Sequence, residues 1–104
     1  MSRVPEAAVL LALIVRIPME GVDAFRDYED RVLPLLADHD GVLQRRLRTG
    51  DGTTEIHLVR FPSEAAFDRF RLDPRRTEHA PLMVASGAAT ELLRVADVAP
   101  GDRL

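Results

Sequence analysis

The sequence predicts an α+β fold: a four-stranded antiparallel sheet with its helices on one face. Three observations carry that expectation. Residues 8–17, AVLLALIVRI, are apolar at nearly every position over a short run, as in a strand covered on both faces. Residues 22–39 place Phe25, Tyr28, Val32, Leu35, Leu36 and His39 on one helical stripe. Gly50-Asp51-Gly52 separates two strand-like runs and supplies the positive backbone angles of a tight hairpin.

Taken in order, the first strand ends at Pro18, too early for a buried helix. Its alternation gives one wholly apolar set, Val9, Leu11, Leu13, Val15 and Ile17. The other set, Leu10, Ala12, Ile14 and Arg16, is suited to a less tightly packed surface. In the following helix Asp23 sits in the first turn, where the dipole favours an anion. Pro34 predicts a kink near Asp30–Leu33, and Gly41 suits the left-handed residue after the last turn.

The hairpin strands span 42–49 and 53–61. Arg46 and Arg48 share one side of the first, which predicts an exposed face or edge. Glu55, His57, Val59 and Phe61 share one side of the second. Pro62-Ser63-Glu64 opens a helix with a capping serine, and Ala66, Phe67 and Phe70 form its inner face. Asp73-Pro74 starts another, and Pro81 predicts that 74–87 divides in two by forcing Ala80 out of helical geometry. Gly87 closes it, 88–97 forms the last strand, and Val98–Leu104 reads as a loose tail. The order strand-helix-strand-strand-helix-strand is that of the ferredoxin-like fold. Right-handed crossovers place both helical segments on one face.

The 104 residues fit one domain, 1–104. A net charge of -3 argues against nucleic acid, whose phosphates need clustered positive charge. Cysteine is absent, so disulfides, thiol nucleophiles and thiolate metal sites are excluded. All 14 basic residues are arginine, which excludes Schiff-base lysine chemistry. The longest apolar stretch, Ala7–Val15, has 9 residues. A membrane-spanning helix needs roughly 20. Apart from Arg3 the start lacks the features of a secretory signal, so the expected location is cytoplasmic and no membrane partner is expected. The three histidines stand 18 and 22 positions apart, without paired-ligand spacing, so no metal site is expected, and no cofactor motif is present.

Two helical segments cover one sheet face, yet Leu10, Ala12 and Ile14 need cover on the other. A second copy of the chain about a two-fold axis is the simplest cover. The expectation is a homodimer with a barrel-like interior between facing sheets and a small-molecule cavity in or beside each sheet.

The segment Leu58–Leu82, LVRFPSEAAFDRFRLDPRRTEHAPL, resembles the dimeric α/β-barrel superfamily. A strand ends in an aromatic residue, a Ser-Glu-Ala helix start follows, and a histidine lies near the end of the next helix. Upstream, Phe25-x-x-Tyr28 and Leu35-Leu36-x-x-His39-x-Gly41 resemble its small uncharacterised branch, alongside antibiotic-biosynthesis-monooxygenase-like proteins. The resemblance implies a small aromatic or acidic metabolite and cofactor-free oxygenation or proton transfer. Haem-degrading members use an asparagine, a tryptophan and a histidine. This chain has neither Asn nor Trp; Phe70 stands near the tryptophan position and His79 near the histidine.

His57 and His79 are the candidate catalytic bases, since imidazole exchanges protons near neutral pH. Glu55 lies on the same side as His57 and can orient it. Arg16 and Arg94, on strands expected to be neighbours, are the candidate anion partners, and Phe61 and Phe70 the apolar wall. Two other readings stay open: a non-catalytic dimeric binding or assembly module with a filled cavity, and haem binding through His79.

Overall fold

The structure, a computed structural model, describes residues 7–101. Its strands are β1 (Val9–Arg16), β2 (Val42–Arg48), β3 (Thr54–Phe61) and β4 (Ala89–Val95). Its α-helices are α1 (Val22–Val32), α2 (Glu64–Arg71), α3 (Pro74–Glu78) and α4 (Ala80–Ser86), with 3₁₀ segments at Met19–Gly21 and Leu33–His39. The four strands form one antiparallel sheet in the order β2-β3-β1-β4, the expected α+β, ferredoxin-like arrangement. Among the described residues, no helix is long and apolar enough to cross a membrane.

Most boundaries fall where local chemistry puts them. α1 gives way to 3₁₀ geometry at Leu33 because Pro34 has no N–H for the carbonyl of Asp30. The Ser63 hydroxyl accepts from the Ala66 N–H at 3.1 Å, and the Asp73 carboxylate accepts from the Arg75 N–H at 2.9 Å. Gly87 takes the left-handed conformation expected after α4.

Three local expectations are corrected. The left-handed residue after the Leu33–His39 segment is Asp40, with φ 59°, not Gly41. Gly41 is instead required for close approach: a Cβ there would lie 2.7 Å from the Phe61 ring. In the hairpin only Gly52 has positive φ. The Asp51 carboxylate organises the rest, accepting from the Thr53 N–H and from the hydroxyls of Thr49 and Thr53. The break between α3 and α4 falls at His79 rather than Ala80, because Pro81 is tolerated in the first turn of α4. Residues 98–101 are exposed and lack strand or helix; 102–104, the rest of the expected loose tail, lie outside the described residues.

The inner sheet face carries Leu11, Val15, His57 and Phe61, all buried beneath the helices. Its apolar core is divided. One cluster centres on Leu11, Val59, Phe61 and Phe67, the other on Val15, Ile17 and Phe25. The outer face presents Leu10, Ala12 and Ile14 of β1 between Ile56 and Leu58 of β3 and Leu93 and Val95 of β4. No described element of this chain covers it.

Candidate functional site

The gap between the two core clusters is a cavity of about 350 Å³ under α1, α2 and α4. Leu11, Leu13, Val32 and Met83 give it an apolar body, and exposed Arg71, Thr90 and Leu92 lie at its rim. Phe61 and Phe70 stand in its wall with ring centroids 5.6 Å apart. Small-molecule sites generally measure roughly 300–1,000 Å³, so the space suits a compact ligand.

One corner is polar. It begins with Glu55, fully buried on the inner face of β3. Arg46 Nε and Arg48 Nε each donate to its carboxylate at 2.8 Å. A β-bulge makes this possible. The register between β2 and β3 shifts between Leu43 and Arg45, which sets Arg46 opposite His57 and Arg48 opposite Glu55. Unbroken alternation from Leu43 would have turned both arginines to the other face. Burial pushes the Glu55 carboxyl up, but hydrogen bonds from Arg46, His57 and Arg48 outweigh it and bring its pKa to about 2.

Glu55 in turn fixes His57. A carboxylate held ionised by two guanidinium groups can only accept, so His57 Nε2 donates to Glu55 Oε1 across 2.8 Å. The other ring nitrogen, Nδ1, is left with its lone pair. It faces Glu29 Oε2 of α1 at 3.9 Å. Burial lowers the His57 pKa, against the pull of Glu55, so the ring is held neutral.

Glu29 lies on the inner stripe of α1, four residues after Phe25, and is 4% exposed. It lines the cavity and hydrogen-bonds to no described residue. Burial raises its pKa from an ordinary 4.5 to about 7; Arg46 opposes the rise and the Glu55 charge adds to it. Tyr28 lines the cavity beside it, its pKa raised by burial against the opposing charge of Arg76. Arg76, also in the lining, stacks over Phe70 with its guanidinium carbon 5.4 Å from the ring centroid.

The residues singled out from sequence separate into two groups. His57, Glu55, Phe61 and Phe70 come together at the cavity or directly behind it. His79, Arg16 and Arg94 do not. His79 sits at the α3–α4 junction, outside the cavity lining. Arg16 and Arg94 are on neighbouring strands but on opposite sheet faces: Arg94 opposes inward Leu11, whereas Arg16 is on the outer face and pairs with Glu91 at 3.7 Å. Arg94 is bound to Glu64 at 2.6 Å beyond the covered part of the sheet. The strand bearing Arg46 and Arg48 is an edge strand, one of the two expected placements, but Arg46 turns inward onto Glu55 instead of lying on an exposed face. Sequence reasoning passed over Glu29 and Arg76. For Glu29 a signal existed, an acid inside an apolar helical stripe. Among the described residues no group of three potential metal ligands converges.

No family model matches the chain, and no curated protein matches it in sequence. Solved structures do. SnoaB, a cofactor-independent oxygenase from Streptomyces nogalater, is 18% identical with a TM-score of 0.70, over 90% of this chain and 98% of its own. A Bacteroides thetaiotaomicron protein assigned as an antibiotic biosynthesis monooxygenase is 12% identical with a TM-score of 0.74, over 94% and 96%. RPA0582 of Rhodopseudomonas palustris, of unknown function, is 18% identical with a TM-score of 0.70, over 91% and 85%. The chain thus has the ferredoxin-like fold of antibiotic-biosynthesis-monooxygenase-like proteins, many of them without known function.

Proposed function

We propose that this protein binds a small aromatic or acidic metabolite in the cavity between its sheet and helices, and acts on it by cofactor-free oxygenation or proton transfer. The observation that carries the reading is the cavity itself: an apolar body with one buried polar corner built from Glu29, His57 and Glu55. That is the composition of a ligand site, in which apolar walls supply affinity and a few placed polar groups supply orientation and chemistry. The structural neighbour SnoaB, a cofactor-independent oxygenase, supports the cofactor-free part. An assembly module would have side chains filling the space, and about 350 Å³ is open.

The partner we propose is a second copy, sheet against sheet on the outer face. Ile56, Leu93 and Val95 are 36–42% exposed there, beside Leu10 and Ile14. The reading is tested by titrating the protein with 2-naphthol and following probe anisotropy. Saturable binding that is lost in Leu13→Trp, which fills the cavity, supports it. Binding unchanged by that substitution defeats it.

A further inference from the structure

The polar corner contains a carboxyl group that the described protein leaves without a hydrogen bond. Buried polar groups nearly always have partners, and this one opens onto the cavity instead of a protein donor. Glu29 is buried, opens onto the cavity and has His57 Nδ1 as its nearest basic atom, 3.9 Å away. His57 also lines the cavity, but both of its ring nitrogens face carboxyl groups. Its Nε2 is bound to Glu55, and its free nitrogen points at Glu29. Glu29 is therefore the lining carboxyl that lies beside the imidazole and has no protein donor of its own.

We infer that Glu29 takes a proton from the bound ligand, and that the ligand is a planar weak acid, such as a phenol, an enol or a C–H beside a carbonyl, which enters neutral and is held as its anion. The inference rests on the cavity being a small-molecule site. In the step, the ligand's X–H bond breaks, its electron pair stays on the ligand, and the proton joins a Glu29 carboxylate oxygen. The carboxylate becomes a neutral acid and the ligand an anion, so the total charge is unchanged. Arg76 is the cation in reach of that anion: it lines the cavity, and its buried Nε has no hydrogen-bond partner. His57 is a positioning residue whose Nδ1 waits as the next acceptor for the proton on Glu29.

The charged and titratable groups around Glu29 are Asp30 and Tyr28 of α1, His57 and Glu55 of β3, Arg46 of β2 and Arg76 of α3. The burial that raises the Glu29 carboxyl to about 7 makes it a base matched to weak acids. The test uses 2-naphthol, which becomes a strong acid on excitation and gives its proton to a base in contact; naphthol and naphtholate emit in separate bands. Bound to the intact protein about two pH units above the carboxyl's value, the probe should emit mainly as naphtholate, and about two units below it mainly as naphthol. Glu29→Gln, saturated with the probe, should emit as neutral naphthol at both pH values. Persistence of the naphtholate band in Glu29→Gln overturns the inference and leaves the cavity reading standing. Should the variant fail to fold, neutral emission from the unaltered protein at both pH values overturns it equally. Absence of saturable binding in the unaltered protein overturns the cavity reading, and this inference with it.

Discussion

Two buried glutamates flank His57, Glu29 in the cavity lining and Glu55 behind it, and are driven in opposite directions. Glu55 accepts from two arginines and a histidine and stays ionised, while burial is the largest influence on Glu29, with Arg46 opposing it and Glu55 adding to it. Environments that push two acids apart mark a division of labour. The sign of each effect on stability follows. The folded Glu29 value, about 7, exceeds its ordinary 4.5, so between these the native state holds a proton that the unfolded state has released. Stability therefore falls as pH rises through this window, by roughly 3 kcal/mol for this group. Glu29→Gln should remove that slope and raise stability on the alkaline side, as read by urea melts across the window; an unchanged slope would refute it. Glu55 has the reverse sign. Its stabilisation is present above 4.5 and lost as pH falls toward about 2. Glu55→Gln should cost roughly 2–3 kcal/mol at neutral pH, with allowance for arginines that can turn to solvent, and flatten the acid limb of the stability profile.

Among the elements, most of the secondary structure was legible because its signals are local. Pro34, Ser63, Asp73 and Gly87 act on their own turns and ended or began the segments where they stand. What misled was alternation in β2. Gln44 lies at a bulge, and one extra residue exchanges the faces of everything after it, so Arg46 and Arg48 point inward. No residue type announces such a shift, because the partner strand determines the count. Deleting Gln44 should restore plain alternation, release Glu55 from both arginines and remove its depressed titration; carboxyl chemical shifts measured across the acid range would show whether it does. Gly21 is a second element-scale constraint. A Cβ there would overlap the backbone carbonyl of Ser86, where the start of α1 meets the end of α4. Gly21→Ala should force these helices apart and destabilise by about 1–3 kcal/mol. A melting temperature unchanged from the parent would refute this.

At the scale of the whole molecule, the open question in the sheet is its outer face. Ile14 of β1 pairs with Ile56 of β3, and Ile56 with Leu47 of β2, so the apolar surface runs across strands rather than along one. Water against such a patch favours association. With a second copy as occupant, Ile56→Glu should convert a dimer to a monomer in sedimentation while far-UV circular dichroism stays unchanged. A native chain that sediments as a monomer at micromolar concentration would exclude the pairing. The inner face answers to a different demand, since its core divides around the cavity instead of closing into one cluster.

By itself the sequence determined the order of elements, the ferredoxin-like arrangement, the two apolar faces of β1 and the placement of Glu55 and His57 on one side of β3. These follow from periodicity and from residues that act on their neighbours in the chain. Only the tertiary structure decided that Glu29 of α1 meets His57 of β3, that Arg46 crosses a bulge to Glu55, and that Arg16 and Arg94 fall on opposite faces. Such facts depend on strand register and helix rotation, which are settled by contacts between segments far apart in sequence and leave no mark in either segment alone.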